Sequence, residues 1–426
     1  MLNRKMPPAI VDAVDFNLHL KPYKYFTLAN NIPVYAIDAP EQEVVLIEWL
    51  FYAGNCYEEK NIVAAAANYL LKNGTRRKSA FAINAHFEFY GSYLNRHAHH
   101  ETASLSLHSL SKYLPELLPV VTELLTDSIY PEEELAIYKQ NQKQGLEVNL
   151  KKCDFVANRL IDENLFGFNH PYGRYSSIAD FDNLLRDDLI KFYDDHYING
   201  KCALFVAGKL PSNIEELLNK NFGSLSLNKK ELLPINYTSH PSTTKKQNLI
   251  NDENGVQSAI RIARHFPNRH HPDFIKVQVL NNIFGGYFGS RLMSNIREDK
   301  GYTYGIHSYL ENHIHESAWM ISTEAGRDVA EATIKEVYNE MKRLRDEPVD
   351  EQELHLVRNY MIGSILGDID GAFQIIARWK NYILNNLSQD YFNNSISTIK
   401  KITSKELQEL ANKYLQPDDF YELTVI

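Results

Sequence analysis

Cysteine is scarce in this chain. Cys56, Cys153 and Cys202 are the three in 426 residues. They are widely spaced, odd in number and without a Cys-x-x-Cys, which excludes a disulfide framework and suits a reducing compartment. None has a neighbouring motif that would make it a nucleophile. Long apolar runs are missing too: nothing approaches the roughly 20 residues a membrane helix needs. Nor is there an excess of base. Lys and Arg number 45 against 54 Asp and Glu, for a net charge of -9, the wrong sign for a nucleic-acid surface. The basic runs "TRRKS" (Thr75 to Ser79) and "STTKKQ" (Ser242 to Gln247) are short and read as solvated loops. The N-terminus, "MLNRKMPPAIVDAVDF", has two basic residues but no continuous apolar stretch, and prolines interrupt it, so no signal peptide is read. The expectation is a cytoplasmic protein with no membrane and no nucleic-acid partner.

What is present is ordinary globular material, 44% hydrophobic and 23% charged, enough for a sizeable core and more than one domain. The first half opens with strand-like segments, "YKYFTLANNIPVYAI" and "EVVLIEWLFYAG", rich in β-branched and aromatic residues. Two helices follow, "VAAAANYLL" and "SAFAINAHFEFYG". In "ETASLSLHSL" Ala103, Leu105 and Leu107 alternate with Ser104, Ser106 and His108, the pattern of a half-buried strand. Helices run on to the strand "CALFVAGKL". The composition then turns polar, with Pro and Ser, and the plan starts again: strand "SAIRIARHF", two helices, strands "YGIHSYL" and "SAWMISTEAG", then helices to the end. "PEEELAIYKQ" finds its echo in "VDEQELHLVRNYM". This reads as one domain duplicated: residues 1–216, a linker 217–248, and residues 249–426. Each copy is an α+β unit, a sheet with helices on one face.

The stretch "VAAAANYLLKNGT" poses the functional question. Ala64 to Ala67 form helix well but offer no donor, acceptor or charge, and the helix ends at Gly74. Around it, "EWLFYAGNCYEE", "KNGTRRKSA", "EFYGSYLN", "HPYGRYSSI", "QSAIRIAR" and "FGGYFGSRLMSNIREDKGYTYG" stand in the order and spacing of a known family. Over nearly its whole length the chain resembles the pitrilysin or insulinase-type inverted zincins, above all the short bacterial members and the mitochondrial processing peptidase subunits. The resemblance implies two homologous domains with mainly antiparallel sheets, closing as a clamshell. In active members the helix ending in Lys-Gly-Thr carries His-x-x-Glu-His. Residues four apart share a helical face, so two His hold Zn²⁺ while the Glu activates its water. Counting back from Gly74, those positions are Ala65, Asn68 and Tyr69. The third family ligand, a Glu on a later helix, falls near Gly145. Glu147 is close by, but one carboxylate makes no site. The resemblance therefore implies a metal helix stripped of its ligands.

In the second half the family's functional pair matches Arg297 and Tyr304, with its seven-residue spacing kept. The resemblance implies that this pair reaches the substrate carbonyl at the zinc, where a permanent charge and a phenol suit a developing oxyanion. The plain alternative is Arg297 paired with Glu298 or Asp299 and Tyr304 in the core.

Other candidates are weaker. His97 and His99 share a strand face with Glu101 near, while His100 turns away and His108 follows. They can mark a metal or simply a polar cavity wall. Arg96 stands where the family has Ala. "FGGYFGSR" lacks the Gly-Lys-Ser/Thr ending of a phosphate loop and reads as a helix–helix turn. "RHH", Arg269 to His271, reads as a loop before a helix. The implied function is a non-catalytic subunit of a heterodimeric zinc peptidase. It would hold no cofactor itself, and a homologous partner would supply zinc. Peptides would be the substrate, and the chain could pair with itself when alone. A structural or peptide-binding protein without catalysis is the second reading, and an independent metalloenzyme using the His97 region the third.

Overall fold

A computed structural model describes residues 11–229, 235 and 237–426 of the chain. The first half contains β1 (Lys24–Thr27), β2 (Pro33–Asp38), β3 (Val44–Phe51), α1 (Val63–Leu70), α2 (Ala80–Phe89), β4 (Tyr93–Ala98) and β5 (Ala103–Leu110). It continues with α3 (Leu114–Asp127), α4 (Glu132–Asn149), α5 (Cys153–Phe166), α6 (Ile178–Asn183), α7 (Arg186–Tyr193), β6 (Cys202–Gly208) and α8 (Ile214–Phe222). The second half contains β7 (Lys246–Leu249), β8 (Gln257–Phe266), α9 (Phe274–Asn281), a π-helical segment Met293–Asp299, β9 (Thr303–Asn312) and β10 (Ser317–Gly326). Then come α10 (Ala330–Asp346), α11 (Glu351–Gly367), α12 (Ala372–Leu384), α13 (Tyr391–Lys401), α14 (Ser404–Tyr414) and β11 (Tyr421–Val425).

The sheets repeat one topology. The first runs β1-β2-β6-β3-β5-β4 and the second β7-β11-β8-β10-β9. In each, the last strand of the half lies parallel to an early one, β6 on β2 and β11 on β7, and the remaining pairs are antiparallel. Strand follows strand and helix follows helix in the same order, so α4 corresponds to α11 and α5 to α12. The fold is α+β, a duplicated sheet-and-helix unit.

The central strands of both sheets are buried on both faces, and the period-two alternation shows how. In β3, Val45, Ile47, Trp49 and Phe51 face the half's own helices, with Leu204 and Val206 of β6 beside them. Leu46 and Leu50 point the other way with Ala203, Phe205 and Ala207, against Ile376 and Trp379 of α12 from the other half. The second sheet mirrors this. Ile260, Ile262, Trp319 and Ile321 face the local helices. Ala259, Ala263, Ala318 and Met320 receive Ala157, Ile161, Leu165 and Phe166 of α5 from the first half. Each half thus keeps its own helices on one face and borrows one helix for the other. The polar face of β5 is accordingly not open: Ser104 and Ser106 are buried, and His108 meets Phe373 of α12 edge-on at 5.7 Å.

The segment 217–248 carries more structure than its composition suggests. Its first residues belong to α8, whose Leu218 and Phe222 are fully buried under the first sheet's helical layer, and its last three lie in β7. Leu218 and Phe222 stand four apart, one turn of a short amphipathic helix amid polar residues. Residues 230–234 and 236 of that segment, and residues 1–10 at the N-terminus, lie outside the described residues.

Candidate functional site

The alanine helix α1 packs by its small residues. Val63, Ala64, Ala66, Ala67 and Leu70 are buried, and α7 and β4 lie against them. The helix begins unusually, from Ile62 at φ 68°, and the Glu58 carboxylate closes its N-terminus. The backbone N–H groups of Ile62 and Ala64 donate to it at 3.2 and 2.9 Å. Burial raises the Glu58 carboxyl to about 7, opposed by those bonds and by Arg174 at 3.7 Å. Sequence reasoning passed over Glu58, although an acid just ahead of a helix is a capping signal.

The positions that match the zinc ligands do not fit a metal. Ala65 and Tyr69 do share the outward face of α1, as four-residue spacing requires. Asn68 points inward, is 2% exposed, and donates to the Ser104 carbonyl at 3.3 Å and the Tyr197 hydroxyl at 3.1 Å. The Tyr69 ring lies 5.0 Å from Tyr138 of α4 and 4.7 Å from the Arg96 guanidinium. Arg96 also donates to the Tyr69 carbonyl and, at 3.0 Å, to Asn73, tying the edge strand β4 to the helix. Gly145 sits on the exposed side of α4 with open space where a side chain would be, and Glu147 is exposed. Neither an amide committed to the core nor a ring under a guanidinium is a zinc ligand. Among the described residues no group of three or more His, Cys, Asp or Glu is arranged to hold a metal ion.

Arg297 and Tyr304 are brought together. The segment carrying "EDKGYT" turns at Gly301, whose φ of 66° favours glycine. Arg297 Nε donates to the Tyr304 carbonyl at 2.9 Å, and its guanidinium lies 4.8 Å from the Phe288 ring and 5.8 Å from the Tyr304 ring. Glu298 stands 3.7 Å away, so the ion pair is present in loose form. Tyr304, however, is 94% exposed and Phe288 62%, which is not a core arrangement. The glycine run upstream has a packing reason: a Cβ on Gly285 would stand 2.7 Å from that of Ser308, so it lets the chain approach β9.

The histidine-rich stretch divides. The His97 and His99 rings lie 6.4 Å apart, nearly parallel. Glu101 does not join them: its carboxylate accepts from the Tyr172 hydroxyl and, at 3.1 Å, from the Ile314 N–H of the second half. His100 does turn away, and enters the same seam between the halves. There the His313 ring stacks on Tyr172 at 4.0 Å and meets His100 edge-on at 4.8 Å, while Glu316 lies 3.5 Å from His170 and 3.8 Å from His265. Burial, reinforced by His100 and His170, pulls His313 down to about 3. Burial also lowers His100 and His265.

Comparison with known proteins agrees with this geometry. Residues 183–361 match the family described as "Peptidase M16 inactive domain". An uncharacterized zinc protease of Rickettsia felis is 24% identical over 80% of this chain and 82% of its own. A non-peptidase homolog, YmxG, of Helicobacter pylori is 22% identical over 88% and 87%. Mitochondrial-processing peptidase subunit beta of Lentinula edodes is 21% identical over 92% and 88%. The crystal structure of an M16 inactive domain from Pseudomonas fluorescens superposes with a TM-score of 0.86, covering 95% of this chain and 98% of its own at 23% identity. No helix among the described residues is long and apolar enough to cross a membrane. Residues 183–361 thus match the M16 inactive-domain family, and the chain shares its duplicated clamshell fold with an M16 structure; its resemblance to the pitrilysin or insulinase-type (M16) peptidases places Ala65, Asn68 and Tyr69 where active members carry His-x-x-Glu-His.

Proposed function

We propose that this chain is the zinc-free, Arg/Tyr-bearing subunit of a two-chain peptidase that degrades or processes peptides. The single observation that carries the reading is the pairing of Arg297 with a 94% exposed Tyr304, in a chain whose α1 carries no metal ligand. An exposed phenol held against a guanidinium has no packing task, whereas together they offer the charge and the neutral donor that an acyl oxyanion needs. A homologous partner would bring His-x-x-Glu-His and zinc, and the chain alone would not hydrolyse peptides. The relative named as a processing-peptidase subunit supports a partnered existence. The relative named as a non-peptidase homologue favours the second reading, an inert peptide-binding or structural protein.

The test mixes the purified chain with a homologue from the same organism that has an intact motif. Hydrolysis of an unstructured peptide should require both chains and be lost with EDTA. Arg297→Ala and Tyr304→Phe should each lower kcat about 10²–10³-fold with little effect on KM or assembly. Arg297→Lys should not rescue fully, since Lys lacks the planar fork. If both variants keep wild-type kcat/KM, or if no intact-motif homologue associates, the inert reading replaces this one.

A further inference from the structure

A cavity of about 680 Å³ lies in the second half, away from Arg297 and Tyr304, neither of which lines it. It is walled by α9, β9, α11, α12 and α13, and its size is that of ordinary ligand sites. α12 turns Ile376 and Trp379 to the first sheet and Gln374, Ala377, Arg378 and Asn381 to this space.

Its chemistry is not that of a packing defect. Arg269, from the loop read as a mere helix start, enters the wall, and among the described residues no carboxylate pairs with it. Arg378 stands close enough that the two charges repel, while Arg378 itself is paired with Asp368 at 3.0 Å. Two guanidiniums against one carboxylate leave one positive charge over. The Arg269 guanidinium lies against the Tyr391 hydroxyl and 5.6 Å from the Phe274 ring, and among the described residues the side-chain Oδ1 of Asn381, also in the wall, is buried with no hydrogen-bond partner. A cation with a phenol and an aromatic ring against it but no carboxylate, beside an unmatched amide oxygen, is costly in an empty protein, and a ligand of opposite charge that also carries N–H donors resolves both. A guanidinium fork fits a carboxylate. Amides offering both donor and acceptor fit a peptide backbone, and Ile275, Leu310 and Ile365 offer apolar contact for its side chains.

We propose that this cavity is a second ligand site, which takes the C-terminal carboxylate of a short peptide on Arg269 and Arg378. The site concerns this chain alone and requires no partner, so its test is independent of the two-chain reading.

The experiment is calorimetric titration of the full chain with an N-acetylated pentapeptide of alanine and leucine bearing a free C-terminal carboxylate, with its C-terminal amide, and with inorganic phosphate. The free acid should bind once per chain and the amide at least tenfold more weakly. Arg269→Gln should abolish that difference, and Ala377→Trp, which fills the space from α12, should prevent binding of both. Should Arg269→Gln fail to fold, Arg378→Gln makes the same comparison. Equal binding of acid and amide, binding of phosphate but not peptide, no binding at all, or unchanged binding by the folded Arg variants would each overturn the proposal.

Discussion

A single side chain shows how completely the metal helix has been converted. Asn68, which the family resemblance sets at the position of the motif's Glu, is a core residue bonded to the Ser104 carbonyl and the Tyr197 hydroxyl. Asn68→Ala should therefore cost about 1–3 kcal/mol, because the buried Tyr197 hydroxyl loses a partner. Asn68→Glu should cost more, since it forces a carboxylate into the same space. Urea unfolding of both variants checks this; an Asn68→Ala protein as stable as the wild type would show that the inward amide carries no weight. Arg96 makes the complementary point. Its guanidinium on the Tyr69 ring and its bond to Asn73 occupy the side of α1 that the ligands would need, so restoring His at positions 65 and 69 would not by itself restore a site.

Among the elements, the exchanged helices α5 and α12 decide how the molecule behaves. α12 lays Trp379 on the first sheet, where the indole meets Tyr23 at 4.9 Å and donates to the Lys21 carbonyl at 2.8 Å, and Lys380 pairs with Glu48 of β3 at 2.7 Å. α5 does the same service for the second sheet. A half that lost its borrowed helix would expose a full sheet face, so the two should unfold as one unit. Calorimetry of the wild type should give a single transition. Trp379→Ala should lower stability by about 3–5 kcal/mol and split that transition or broaden it. A wild type that melts in two separate steps would contradict the clasp.

For the whole molecule, the seam between the halves should set the pH range. His313, held neutral by burial at about 3 against an ordinary 6.5, contributes stability that is full above pH 6.5 and falls as pH drops toward 3. Asp162 of α5 and Glu311 of β9, one from each half, are both raised by burial. Their contribution runs the other way: full below the ordinary carboxylate range, and lost as pH climbs through their raised values. The two limbs overlap and oppose each other between the ordinary carboxylate range and pH 6.5, with the carboxylates alone governing the alkaline side. His313→Phe, which keeps the stacking on Tyr172, should soften the acid limb, and Asp162→Asn the alkaline one. Melting temperatures from pH 4 to 9.5 would read both. Parallel profiles for wild type and variants would remove these groups as the cause.

Much of this was legible in one dimension. Strands, helices and their recurrence follow from periodicity and from where Gly and Pro interrupt it, which are local matters. The erased motif is a statement about residue types at fixed helical spacing, so Ala65, Asn68 and Tyr69 are readable without coordinates. The meeting of Arg297 with Tyr304 is nearly local too, since a seven-residue turn closes it. What the sequence could not disclose depends on contacts hundreds of positions apart. Ser104 and Ser106 look solvent-facing until α12 arrives from the other half to cover their sheet. Glu101 looks like a neighbour of His97 and His99 until Ile314 and Tyr172 claim it. Arg269 looks like a surface loop residue until four helices and a strand enclose it with Arg378. In each case a side chain's charge, partner and exposure are set by what tertiary packing lays against it, and spacing along the chain carries no record of that.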